Sequence, residues 1–107
     1  MAESTWQGRS RPVAQVKWLP EAIRDVERLT TFLRKKNVSA AREAAVRLNE
    51  VAAILAKFPE SGRRLDDASE RREAFTAFGA GAYVLRYRID AEGAVIILRA
   101  FHTRELR

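Results

Sequence analysis

The 107-residue chain has no cysteine, which excludes disulfide staples and thiolate-bound metals and suits a reducing compartment. It has one histidine, His102, and no converging set of carboxylates that could complete a metal site around it. No glycine-rich phosphate loop precedes a helix. Neither a metal nor a cofactor is therefore expected. No apolar run nears the roughly 20 residues of a membrane-spanning helix. The opening MAESTWQGRSRPVA lacks the hydrophobic core of an export signal. These two absences predict a cytoplasmic protein with no membrane contact. Internal repeats and long low-complexity segments are also missing.

What is present is enough for one folded unit. Apolar residues make up 47% of the chain and charged residues 32%, a balance typical of a folded domain rather than a disordered one. The length supports one modest core. Residues 1–12 are polar and aperiodic and read as a flexible tail, leaving residues 13–107 as a single domain. The net charge of +6 favours an acidic partner, a nucleic acid or an anionic surface. The excess is spread out, however. Residues 17–36 hold six basic side chains against three acidic, whereas residues 58–72 hold four of each. A dedicated DNA-binding stripe would concentrate its arginines.

Periodicity orders the elements. VAQVKW (13–18) is a short strand, and Pro20 suits the first turn of a helix because its missing N–H has no partner there. Ala22, Val26, Leu29 and Leu33 form one stripe on a helix running to about Lys36, with Asn37 as the stop. Ser39 is placed to cap a second helix, in which Ala41, Ala44, Leu48, Val51, Leu55 and Phe58 form a seam until Pro59 ends it. A link of Val38 and Ser39 makes the pair an antiparallel hairpin. Leu48, Val51 and Leu55 should face Val26, Leu29 and Leu33.

Beyond Gly62 the period changes. Residues 74–78 are short and apolar, and AYVLRYRID (82–90) alternates, with Tyr83, Leu85, Tyr87 and Ile89 opposite Val84, Arg86 and Arg88. A DAEG turn leads to AVIILRAF (94–101), apolar enough for a central strand. Strict alternation sets Arg99 beside Val95, Ile97 and Phe101, and His102 beside Ile96, Leu98 and Ala100. The result is an α+β domain of order β-α-α-β-β-β, a helical hairpin on one face of a small, mainly antiparallel sheet.

VKWLPEAIRDVERL, KFPESGRRL, AYVLRYRI and VIILRAFHTRE, in this order and spacing, resemble the RelE/ParE superfamily. These are the toxin halves of type II toxin–antitoxin pairs, often called plasmid stabilisation proteins. The resemblance covers residues 16–104 and implies a cognate ParD-like antitoxin and a toxin–antitoxin hetero-oligomer. It also implies one of two activities, or, in a non-toxic member, antitoxin binding alone. RelE-like members cleave messenger RNA on the ribosome; ParE-like members bind and poison DNA gyrase.

The residues weigh toward the second. RNA cleavage by 2′-hydroxyl attack needs a base, an acid and cations around the phosphate. RelE-like toxins place an arginine after the third-strand tyrosine, but Val84 follows Tyr83 here, and residues 74–78 contain no Lys or Arg. A nuclease would have to use His102 with Arg86 and Arg104. Histidine suits proton transfer near neutral pH, yet ParE-like sequences show a similar histidine–x–arginine ending without nuclease activity. A strand-end histidine can instead pin the tail. The preferred assignment has no catalytic residue. Arg99, His102, Arg104 and Arg107 then meet the target, and Arg86 and Arg88 meet the antitoxin, Arg86 with an ion pair on the sheet face as its plainer role. Tyr83, Tyr87 and Phe101 could stack bases but at strand spacing are expected in the core, as is Trp18. Asp66 and Asp67 form a solvated or capping pair, and Trp6 stays uninterpreted.

Overall fold

The computed structural model describes residues 13–105. The tail assigned to residues 1–12, with Trp6, and the candidate Arg107 lie outside them. The elements are β1 (Val16–Trp18), α1 (Pro20–Arg34), α2 (Val38–Lys57), a 3-10 turn (Pro59–Ser61), β2 (Arg63–Arg64), β3 (Arg72–Phe78), β4 (Gly81–Ile89) and β5 (Val95–His102). They form one five-stranded sheet of order β1-β5-β4-β3-β2, antiparallel except for the β1–β5 pair, with both helices on one face. Among the described residues no helix is long and apolar enough to cross a membrane.

The hairpin forms as its apolar stripes require. Leu48, Val51 and Leu55 are buried with Leu29, and Val26 and Leu33 pack against the same cluster. The second helix starts two residues earlier than expected. Asn37, rather than Ser39, is the cap: its side-chain oxygen accepts from the Ala40 N–H at 3.1 Å. Val38 and Ser39 are helical, and residues 35–37 make the link. A carboxamide one residue before the helix satisfies an orphan donor as well as a hydroxyl does.

On the sheet, Tyr83, Leu85 and Tyr87 face the helices with Val95, Ile97 and Ala100. β3 runs longer than the strand expected at residues 74–78. It starts at Arg72, so it does carry an arginine, whose guanidinium donates to the carbonyls of Glu60 and Gly62 at 3.0 and 2.9 Å. The two-residue β2 and the start of β1 at Val16 rather than Val13 also depart from expectation. The PESG turn is locked onto β4: the buried Tyr87 hydroxyl donates to the Pro59 carbonyl at 2.7 Å and accepts from the Gly62 N–H at 2.9 Å. A Cβ on Gly62 would run into that phenol, which explains glycine at this point of the motif.

The largest departure is in β5. Arg86 pairs with Arg99 but Tyr87 pairs with Ile97, so Leu98 is an extra residue in a β-bulge. A one-residue insertion exchanges the two faces beyond it. Val95 and Ile97 therefore share the helix face with Ala100 and His102, not with Arg99 and Phe101.

Candidate functional site

The C-terminal end of β5 is built around Asp25. β1 pairs only as far as Ile97, and beyond it β5 keeps β4 on one side but has no strand along the other edge. Side chains close that edge instead. Asp25, on α1 and 3% exposed, accepts the Ala100 N–H at 2.9 Å and both nitrogens of the Arg99 fork at 2.7 and 3.1 Å. Arg28, one turn on, donates to Asp25 at 2.6 Å and reaches Glu105 with two nitrogens at 3.1 Å. Glu105 in turn accepts the His102 backbone N–H at 3.0 Å. Burial pushes the Asp25 carboxyl upward, but hydrogen bonds from Arg99, Ala100 and Arg28 outweigh it and hold the group at about 2.

His102 lies inside this clasp. Its ring meets Tyr83 edge-on at 5.1 Å. Nε2 lies 2.9 Å from the Phe78 carbonyl, which can only accept, and Nδ1 accepts the Arg104 N–H at 3.1 Å. Both contacts together require the neutral ring with its proton on Nε2. Neither nitrogen is left for a substrate. Gly81 faces the ring so closely that a Cβ there would strike His102 and the Thr103 hydroxyl. Thr103 completes the clasp by exchanging hydrogen bonds with Ala82.

Arg86 stands on the opposite face of the sheet. Its guanidinium is bonded to Glu73 at 2.9 and 2.6 Å and lies 5.4 Å over the Phe101 ring. The ion pair read for it on the sheet face is present. Arg88, exposed, is on the same face. Phe101 is buried there as well, beside Val84 rather than in the helix-side core. Of the three residues a nuclease would need, His102 and Arg104 share the lining of one groove, and Arg86 is not brought to them. His102 faces the helices, Arg86 the other side, and Arg104 projects from the tail with its guanidinium in no ion pair among the described residues. Arg99 is 45% exposed at its side chain, though tied to Asp25. No three His, Asp or Glu side chains gather to hold a metal among the described residues.

Next to the clasp opens an apolar groove of about 640 Å³, lined by Leu29, Phe32, Leu33, Phe78 and Tyr83 with Arg28 and Arg104 at its rim. Sequence reasoning missed Asp25, Arg28, Glu73 and Glu105. Only Asp25 left a signal: it falls three residues after Ala22 and four before Leu29, inside an apolar stripe. Asp67 does cap its loop, accepting from the Ser69 N–H and the Arg71 guanidinium.

Comparison with known proteins adds the family. The profile described as the ParE toxin of the type II toxin–antitoxin system parDE matches residues 16–107. Among curated relatives, the toxin RelE3 of Caulobacter vibrioides is 38% identical over 88 residues, 82% of this chain and 92% of the relative. The toxin RelE2 of the same organism is 34% identical over 94 residues, 88% of this chain and all of the relative. Among solved structures, a chromosomal ParDE toxin–antitoxin system from P. aeruginosa superposes with a TM-score of 0.67 at 15% identity, covering 86% of this chain and 98% of that one. The RelBE2 toxin–antitoxin complex of Mycobacterium tuberculosis gives 0.61 at 23%, covering 90% and 98%.

Proposed function

The chain belongs to the ParE toxin family of type II toxin–antitoxin systems, and from that premise we propose that it arrests growth by binding DNA gyrase, without covalent chemistry, until a ParD-like antitoxin neutralises it. One observation carries the choice of mechanism. Both ring nitrogens of His102 are engaged by backbone groups, and the sheet separates that ring from Arg86. A general acid–base group must reach its proton, and a phosphate clamp must stand beside it. The target surface in this reading is the basic tail around Arg104 and Arg107 with the exposed part of Arg99, and His102 positions that tail. Arg86 and Arg88 face an antitoxin.

The competing reading is a ribosome-dependent ribonuclease, favoured by the RelE names of the two curated relatives. His102→Gln separates the two readings. Glutamine keeps a neutral side chain that can bond Phe78. We expect the variant, induced without antitoxin, to retain most of the growth arrest and to alter plasmid supercoiling before translation fails. An acid–base histidine contributes roughly 10²–10⁴ in rate. Loss of toxicity together with loss of ribosomal messenger cleavage would establish the nuclease.

A further inference from the structure

The basic excess is dispersed along the sequence, yet the fold concentrates part of it at the tip of the helical hairpin. From Arg28 to Arg42 the chain carries five cations and no carboxylate. Arg34 closes α1, and Lys35 and Lys36 belong to the link that turns the chain into α2. All three are exposed, as is Arg42 near the start of α2. None of these four forms an ion pair among the described residues. The next carboxylate along the chain, Glu43, is taken by Arg47 at 3.2 Å. A helix end gains from a cation in its last turn, but a run of three that continues past the helix exceeds that need. Phe32, beside them, is 59% exposed, with the Lys36 ammonium 5.0 Å over its ring. The same ring lines the groove that Arg104 borders. The tip is thus continuous with the tail surface that the gyrase reading gives to the target.

These properties suit a polyanion better than a folded protein. A protein surface mixes both signs, and a tip without carboxylates cannot answer a partner's lysines and arginines. A DNA duplex presents one negative charge per about 1.7 Å of its axis and is met by cations alone. The target in the gyrase reading works on duplex DNA. A toxin docked on it through the tail would bring the adjoining tip to that DNA. We infer that the hairpin tip, through Arg34, Lys35 and Lys36, grips the phosphate backbone of duplex DNA held by the target. Such contacts position a protein on the duplex without reading its sequence. The tip therefore adds affinity, and the tail keeps the choice of target.

The inference rests on the gyrase reading, and the experiment separates the two. Intact toxin free of antitoxin is titrated into a fluorescent DNA duplex over a series of salt concentrations, beside an RNA duplex of equal length. With three phosphates neutralised, the log–log slope of affinity against salt should be about −3, roughly a fiftyfold loss between about 50 and 200 mM. Arg34→Ser/Lys35→Ser/Lys36→Ser should bind DNA at least about tenfold more weakly, with a slope of about −1 or shallower. It should lose a similar factor in gyrase inhibition at an unchanged melting temperature. Lys35→Glu alone, at an exposed link residue, gives the same direction and stands in for the triple variant if that does not fold. DNA binding by the variant equal to that of the wild type, or undiminished inhibition of gyrase, would overturn the inference and leave the gyrase reading standing. A preference of about tenfold for the RNA duplex would overturn it in favour of ribosomal RNA. Tip-dependent DNA binding in a toxin that leaves gyrase untouched would overturn the gyrase reading and keep the DNA contact.

Discussion

Asp25 interrupts the apolar stripe of α1, and its carboxylate takes the position that a longer β1 would occupy beside Ala100. The cost of burying that charge is offset only because two arginines and a backbone N–H converge on it. The linkage has a definite sign. The folded group titrates at about 2 and the ordinary value is 3.8. A depressed carboxyl contributes stability that is fully present above pH 4 or so and is lost as pH falls through the window toward 2, in total about 2 kcal/mol. Denaturant melts of the wild type should therefore soften across that window. Asp25→Asn should be weaker at neutral pH, by on the order of 3 kcal/mol, and flatter in acid. Identical pH profiles for the two proteins would show that the network contributes nothing.

At the scale of elements, the two helices hold the sheet through the seam of α2. Leu48 is 1% exposed and sits at the centre of the cluster shared by both helices and the sheet. Leu48→Ala should cost on the order of 2–5 kcal/mol. Near-wild-type thermal unfolding of that variant would mean that the helices do not depend on this seam. The helices were legible in the sequence because a 3.6-residue period repeated over four or more turns leaves little choice of face. β4 was legible for a similar reason, since Arg86 and Arg88 alternate with buried Tyr87. β5 was not. Every residue from Val95 to Leu98 is apolar, so no polar position marks the register, and the bulge at Leu98 exchanged Arg99 and His102 between faces. Asp25, Glu73 and Glu105 were missed because the partners that tie them across the fold, Arg99 and Ala100, Arg86, and Arg28 respectively, lie 13 to 77 residues away, where no local pattern points.

For the molecule as a whole, the sheet is a partition. His102 and the tail clasp belong to the helix side, and Arg86 and Arg88 to the other. A phosphate-cleaving site needs its base and its cations on one side of such a wall, whereas a protein that acts by docking can use several separate surfaces. The family, the fold and the four ordered motifs could be read from sequence; the partition could not, because it depends on the bulge. The central claim is therefore best tested with purified components. Toxin free of antitoxin is added in parallel to a DNA gyrase supercoiling reaction and to ribosomes programmed with a defined messenger, with His102→Gln beside the wild type. The account predicts that both proteins inhibit supercoiling at comparable concentration and that neither cuts the messenger. Messenger cleavage by the wild type that disappears in His102→Gln, with gyrase untouched, would contradict it.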